Sequence, residues 1–210
     1  MLSTRAQTPF LAPWTPSTYS ARLHIRYITN TTTHPRSAIV DRLSTMGFSV
    51  GPDHLMPRPR PRRCFCGLRA SRIHLAAAEG LEEGFRDFGL VSADGGADAI
   101  ILGDLYMDFS WQRLNTLFQV MTRGVPLIAL HKNRACQRSE GVSLDFGSFV
   151  AALEYASAVQ GHVVGKPSAT FFNLALESLG LPATEVLMVG DDTEAYIGGA
   201  KAAGLVAGVS

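Results

Sequence analysis

The sequence predicts an α/β protein built on largely parallel sheets, and three observations carry that prediction. Short apolar runs of strand length alternate with longer stretches in which apolar residues recur every three to four positions. Glycines stand where helices of that phase should stop, at Gly47, Gly124 and Gly180. Hydrophobic residues make up 46% and charged residues 18% of the 210, enough apolar surface for a buried core and too little charge for overall disorder.

The elements follow in order. Residues 23–29 read as a strand with Leu23, Ile25 and Tyr27 on one side, running into the turn-like Asn30-Thr31-Thr32-Thr33. Residues 37–46 read as a helix, because Ile39, Leu43 and Met46 share a face ahead of Gly47. The Pro-Arg alternation over 57–63 marks an exposed linker. Residues 73–77 and 99–102 are apolar runs of strand length. Ser110 is placed to cap a helix with Trp111, Leu114, Phe118 and Met121 on one face, ending at Gly124. A strand at 125–130 and a helix at 149–156 continue the alternation. Residues 162–165 form a short strand leading to Lys166-Pro167-Ser168, where Ser168 caps a helix bearing Phe171, Phe172, Leu176 and Leu179. Residues 186–189 read as a strand of the buried type, ending in Gly190-Asp191-Asp192.

Charge and cysteine content exclude several classes. A net charge of +1 gives no field to attract nucleic acid or an anionic membrane, and the longest apolar run is far shorter than a membrane span. Three cysteines are too few for a disulfide framework, so a reducing, cytoplasmic setting is expected. The Cys64-x-Cys66 spacing is a poor match to a zinc site. Residues 1–22 read as a leader without regular structure; with four arginines and no acid before Asp41, a transit segment is the other reading of this end.

Ligands of open parallel sheets bind at the carboxyl ends of the strands, so Lys166, Asp191 and Asp192 are expected on one rim. A lysine suits a phosphate there, and paired carboxylates suit a hard divalent cation.

These residues carry a family resemblance. Gly165-Lys166-Pro167-Ser168, the Phe171-Phe172 helix, Met188-Val189-Gly190-Asp191-Asp192 and Gly198-Gly199-Ala200 resemble the third and fourth motifs of the haloacid dehalogenase superfamily. Tyr27-Ile28-Thr29-Asn30 resembles its second motif, and residues 52–156 resemble the large α/β cap inserted in some of its phosphatases. The resemblance implies a Rossmann-like parallel-sheet core from 23–51 and 157–210, with the cap at 52–156. It further implies a Mg²⁺-dependent phosphatase working through an aspartyl-phosphate on small phosphorylated substrates. In that scheme Thr29, Asn30 and Lys166 hold the phosphate and Asp191, with Asp192, holds the metal. His131 and Lys132 are cap residues placed for substrate contact or simply in a loop. Neither nucleic acid nor membrane is an expected partner, and a homo-oligomer through the cap is one option for assembly.

The sequence departs from the family pattern in two places. The Asp-x-Asp nucleophile motif should precede Thr29, yet no Asp or Glu occurs before Asp41. Where relatives carry a further acid five positions after Asp191, this chain has Tyr196, whose neutral phenol is a poor Mg²⁺ ligand. Three readings remain open: a phosphatase whose natural gene encodes the Asp-x-Asp strand upstream of Leu23, a catalytically inactive phosphate-binding or regulatory relative, and a chain that receives the strand from a partner.

Overall fold

The computed structural model describes residues 23–29, 36–56, 70–138, 141–190 and 193–209. Asn30, the Pro-Arg stretch, Cys64, Cys66, Asp191, Asp192 and the leader lie outside the described residues. The helices are α1 (Arg36–Thr45), α2 (Trp111–Thr122), α3 (Gly147–Ser157), α4 (Ala169–Leu179) and the short α5 (Gly199–Ala202). The strands are β1 (Arg72–Ala76), β2 (Gly89–Leu90), β3 (Ala99–Leu102), β4 (Leu127–Ala129), β5 (Ala135–Arg138), β6 (Gly141–Leu144), β7 (His162–Val163), β8 (Leu187–Gly190) and β9 (Val206–Val209).

Five strands form one parallel sheet in the order β2-β1-β3-β4-β7. Its last strand, β7, comes from beyond residue 156. Both faces of the sheet are covered, as parallel sheets require. Ile100, Leu102, Leu127 and Ala129 point to one side and pack with Leu117, Val120 and Met121 of α2 and Val150 and Leu153 of α3. Their alternates Ile73, Ala99, Ile101 and Ile128 face the other side against Leu81, Phe85, Phe88 and Val164. This two-residue alternation turns a continuous apolar run such as Ala-Ile-Ile-Leu into two cores.

Ser110 caps α2 as its sequence position predicts, its hydroxyl accepting the Arg113 N–H at 3.3 Å. The buried stripe is turned from the expected one: Leu117, Val120 and Met121 carry it, Leu114 and Phe118 flank it, and Trp111 is 73% exposed. Residues spaced by three and by four from Leu117 define that stripe, and Trp111, in the first turn, falls off it. α1 likewise buries Ile39 and Leu43 but leaves Met46 exposed past its end, where Gly47 takes φ +88. In α4 the buried residues are Phe171, Phe172 and Ala175, and Gly180 closes the helix at φ +68; Ser168 makes no side-chain cap bond, contrary to its expected role.

Two strand expectations are corrected. Residues 23–29 form no continuous strand among the described residues; Tyr27 makes an isolated parallel bridge with Leu55, its N–H donating to the His54 carbonyl and its carbonyl accepting from Met56 N–H, both at 2.8 Å. β8 is not of the buried type: Leu187 is 61% and Val189 57% exposed, and only Met188 of its apolar residues is buried. Among the described residues β8 pairs with β9 alone, so its other edge has no described partner strand. The antiparallel β5–β6 hairpin, with Ala135 opposite Leu144 and Arg138 opposite Gly141, carries no periodic signal strong enough to read from sequence.

Candidate functional site

Three segments leave the large sheet at its carboxyl edge and meet there. β7 ends at Val163, and the Val164 N–H donates to the Ala129 carbonyl, extending the pairing to the residues just before Lys166. The turn closes with the Ser168 N–H on the Gly165 carbonyl at 2.9 Å, around a cis Lys166–Pro167 bond. This turn carries Lys166 inward, where it is 1% exposed. Its ammonium lies 3.5 Å from the centroid of the Tyr196 ring and 5.8 Å from that of Phe171, so aromatic faces hold a cation removed from bulk water.

The floor beneath Lys166 is a second core made from Phe171, Phe172, Ala175, Met188, Tyr196, Ile197 and Ala200. Ile28 packs against this cluster, and the Arg26 guanidinium donates to the Ser178 carbonyl at the end of α4. Half-buried Thr29 follows directly. Close approach in this floor depends on glycine: a Cβ at Gly199 would stand 2.5 Å from the Phe172 ring and 2.6 Å from the Pro167 carbonyl, and one at Gly190 3.0 Å from Tyr196. β8 ends at Gly190; Asp191 and Asp192, next in the sequence, lie outside the described residues, as does Asn30.

From the large sheet, His131 follows β4 and Asp104 follows β3. His131 is 5% exposed and set edge-on to Phe146 with centroids 4.4 Å apart. Burial pushes its pKa down to about 4; the Asp104 carboxylate opposes this and the Lys166 ammonium adds to it, so the imidazole lies within the fields of both. The neutral ring is the form present near pH 7. Asp104 accepts the Tyr106 N–H at 2.8 Å and lies 3.9 Å from Arg138 of β5, whose guanidinium sits 4.1 Å from the Tyr106 ring centroid. Asp145 is buried and accepts the Phe146 N–H at 2.7 Å, and burial raises its carboxyl above the ordinary range. Lys132 is committed elsewhere, in a 2.5 Å ion pair with Glu154, whose other oxygen accepts the Gly161 N–H.

The sequence singles out Lys166, and the structure buries it. Asp104 and Arg138 stand in no motif, so the sequence alone does not single them out, although Gly103-Asp104 directly follows a fully buried strand. For a divalent cation, Asp191 and Asp192 offer the right oxygen donors. The described residues contain no group of three or more His, Cys, Asp or Glu able to hold a metal, and the place where a further acid would help is Tyr196, with the Lys166 cation against its ring.

A parallel sheet covered on both faces, with a buried lysine at its carboxyl rim and a further parallel strand ending at Gly190, defines the α/β class of the chain. A family model described as HAD-hydrolase-like matches residues 163–207. Haloacid dehalogenase-like hydrolase domain-containing protein 2 from Homo sapiens is 34% identical over 186 residues, covering 89% of this chain and 70% of that protein. Phospholysine phosphohistidine inorganic pyrophosphate phosphatase from Rattus norvegicus is also 34% identical over 186 residues, covering 87% of this chain and 67% of that protein. The chain belongs to the haloacid dehalogenase-like hydrolase family. Among solved structures, a p-nitrophenyl phosphatase from Archaeoglobus fulgidus superposes with a TM-score of 0.78 at 26% identity, covering 87% of this chain and 71% of that one. A glycerol phosphate phosphatase from Mycobacterium tuberculosis, crystallised with magnesium, shares the fold at a TM-score of 0.79 and 23% identity over 92% of this chain and 60% of that one.

Proposed function

We propose that this chain binds small phosphorylated molecules, with Thr29, Asn30 and Lys166 holding the phosphate and Asp191 and Asp192 a divalent cation, and that these 210 residues bind without completing the covalent step. The observation that carries the reading is Lys166, a cation 1% exposed at a strand's carboxyl end, where an anion gains far more from it than it would at the surface. The phosphatase names of the relatives support phosphate esters as the ligand class. Mg²⁺ held by Asp191 and Asp192 would supply further neutralisation of phosphoryl charge. The cap at 52–156 contributes His131 and Asp104 to the same rim.

Hydrolysis through an aspartyl-phosphate needs an in-line carboxylate. The sequence provides none before Asp41, and removing the attacking group removes the route itself. The purified chain, incubated with p-nitrophenyl phosphate and Mg²⁺, is expected to bind the ester in a calorimeter and release no p-nitrophenolate. Release that persists through repurification and disappears in Asp191→Ala would overturn the non-catalytic half of this reading; absence of binding would overturn the other half.

A further inference from the structure

We propose that Asp104 and Arg138, with Tyr106 between them, form the subsite for the part of the ligand beyond the phosphate, and that this subsite selects a neutral leaving group bearing hydroxyls over a cationic or anionic one. The inference rests on the phosphate-binding reading above.

Position is the first support. The sheet order β2-β1-β3-β4-β7 places β2 on one side of β1 and β3 on the other, so the winding reverses at β1/β3, and crevices at such reversals take ligands at the strands' carboxyl ends. Asp104 is the second residue past the end of β3 at that reversal, and its carbonyl accepts the N–H of Ala78 from the segment that leaves β1. It also sits on the same rim as Lys166, because β3, β4 and β7 are neighbouring parallel strands and Asp104, His131 and Lys166 follow their carboxyl ends.

Geometry supplies the second support. Arg138 and Asp104 lie 3.9 Å apart, in each other's field but beyond a good hydrogen bond. Their side chains are 24% and 14% exposed, which leaves each a path to a ligand. Tyr106 holds a left-handed conformation, φ +51, that a non-glycine residue adopts only when its surroundings insist. Here the Asp104 carboxylate takes the Tyr106 N–H and the Arg138 guanidinium lies on its ring, so the three residues set one another's positions.

Charge decides the ligand class. An ammonium on the ligand would be drawn to Asp104 and repelled by Arg138, and a carboxylate the reverse. Of these three groups only a hydroxyl both donates and accepts, so it can give its hydrogen to Asp104 while receiving one from Arg138. The neutral imidazole of His131 adds no charge to either side near pH 7.

Titration calorimetry of the full chain with inorganic phosphate, sn-glycerol 3-phosphate, propyl phosphate and O-phosphoethanolamine tests this. The wild type should bind glycerol 3-phosphate at least about tenfold more tightly than propyl phosphate, the size expected when hydroxyls bond to charged partners, and more tightly than O-phosphoethanolamine. Asp104→Ala and, should that variant fold poorly, Arg138→Gln should bring the glycerol-to-propyl ratio to within about twofold, whereas Val142→Ser on the exposed hairpin should keep it. Inorganic phosphate binding with a ratio near one, a preference for the amine, or a ratio unmoved in both variants would overturn the subsite and leave the phosphate reading standing. Failure of every probe, inorganic phosphate included, would overturn both.

Discussion

Gly199→Ala sets two effects of opposite sign against each other at the floor of the site. Gly199 opens α5 with ordinary helical neighbours and no positive φ, so helix propensity alone would make alanine more stable by at most about 1 kcal/mol. The added methyl would stand 2.5 Å from Cε2 of Phe172, 2.6 Å from the Pro167 carbonyl and 3.0 Å from Pro167 Cα, where ordinary carbon contacts begin near 3.5 Å. Phe172 is 1% exposed and cannot swing away, and Pro167 is tied to Lys166 through the turn. Overpacking of this kind costs about 1–3 kcal/mol, and with two rigid neighbours the upper end applies. The net expectation is a loss of about 2 kcal/mol, or roughly 4–8 °C in Tm for a chain of this size. Thermal unfolding followed by circular dichroism reads it directly, with Gly84→Ala, where no atom lies within 4 Å and φ is not positive, as the neutral comparison. A Tm for Gly199→Ala equal to or above wild type would refute the packing argument.

Stability should also depend on His131. Its folded pKa of about 4 lies below the unfolded value of 6.5, so its contribution is complete above about pH 6.5 and is lost as pH falls toward 4; between about pH 7.5 and 5 the loss works out to about 2 kcal/mol. Urea unfolding of wild type against His131→Gln isolates this, since the buried Asp145, whose raised pKa acts in the opposite direction, is common to both; equal pH dependence in the two proteins would contradict the assignment. Hydrogen exchange should show β3 and β4, whose residues are fully buried between two helical and loop layers, protected at least about tenfold more than β8 and β9, and equal protection would contradict the uneven core.

Much of the architecture was legible because burial writes itself into period. The run Ala99-Ile100-Ile101-Leu102 has strand length and unbroken apolar character, and Ser110, Gly124 and Gly180 mark helix ends through local hydrogen bonding and backbone freedom. Trp111 misled because hydrophobicity does not say which turn of a helix reaches the sheet. β8 misled for a related reason: Leu187 and Val189 look like core residues, and whether such residues are covered depends on a neighbouring strand that local sequence does not specify. At the site, Lys166 was recognisable within its motif, while Asp104, Tyr106 and Arg138 come together only through the crossover from β3 and the fold of the β5–β6 hairpin, separated by more than thirty positions.

The account turns on whether the buried cation at 166 is an anion-binding group. Titration of inorganic phosphate into wild type and Lys166→Met, with circular dichroism establishing that both are folded, measures that alone. Methionine keeps an unbranched chain among Phe171 and Tyr196 while removing the charge. Loss of a charge-assisted contact predicts phosphate affinity at least about tenfold weaker in the variant. Equal affinity in two folded proteins would contradict the account.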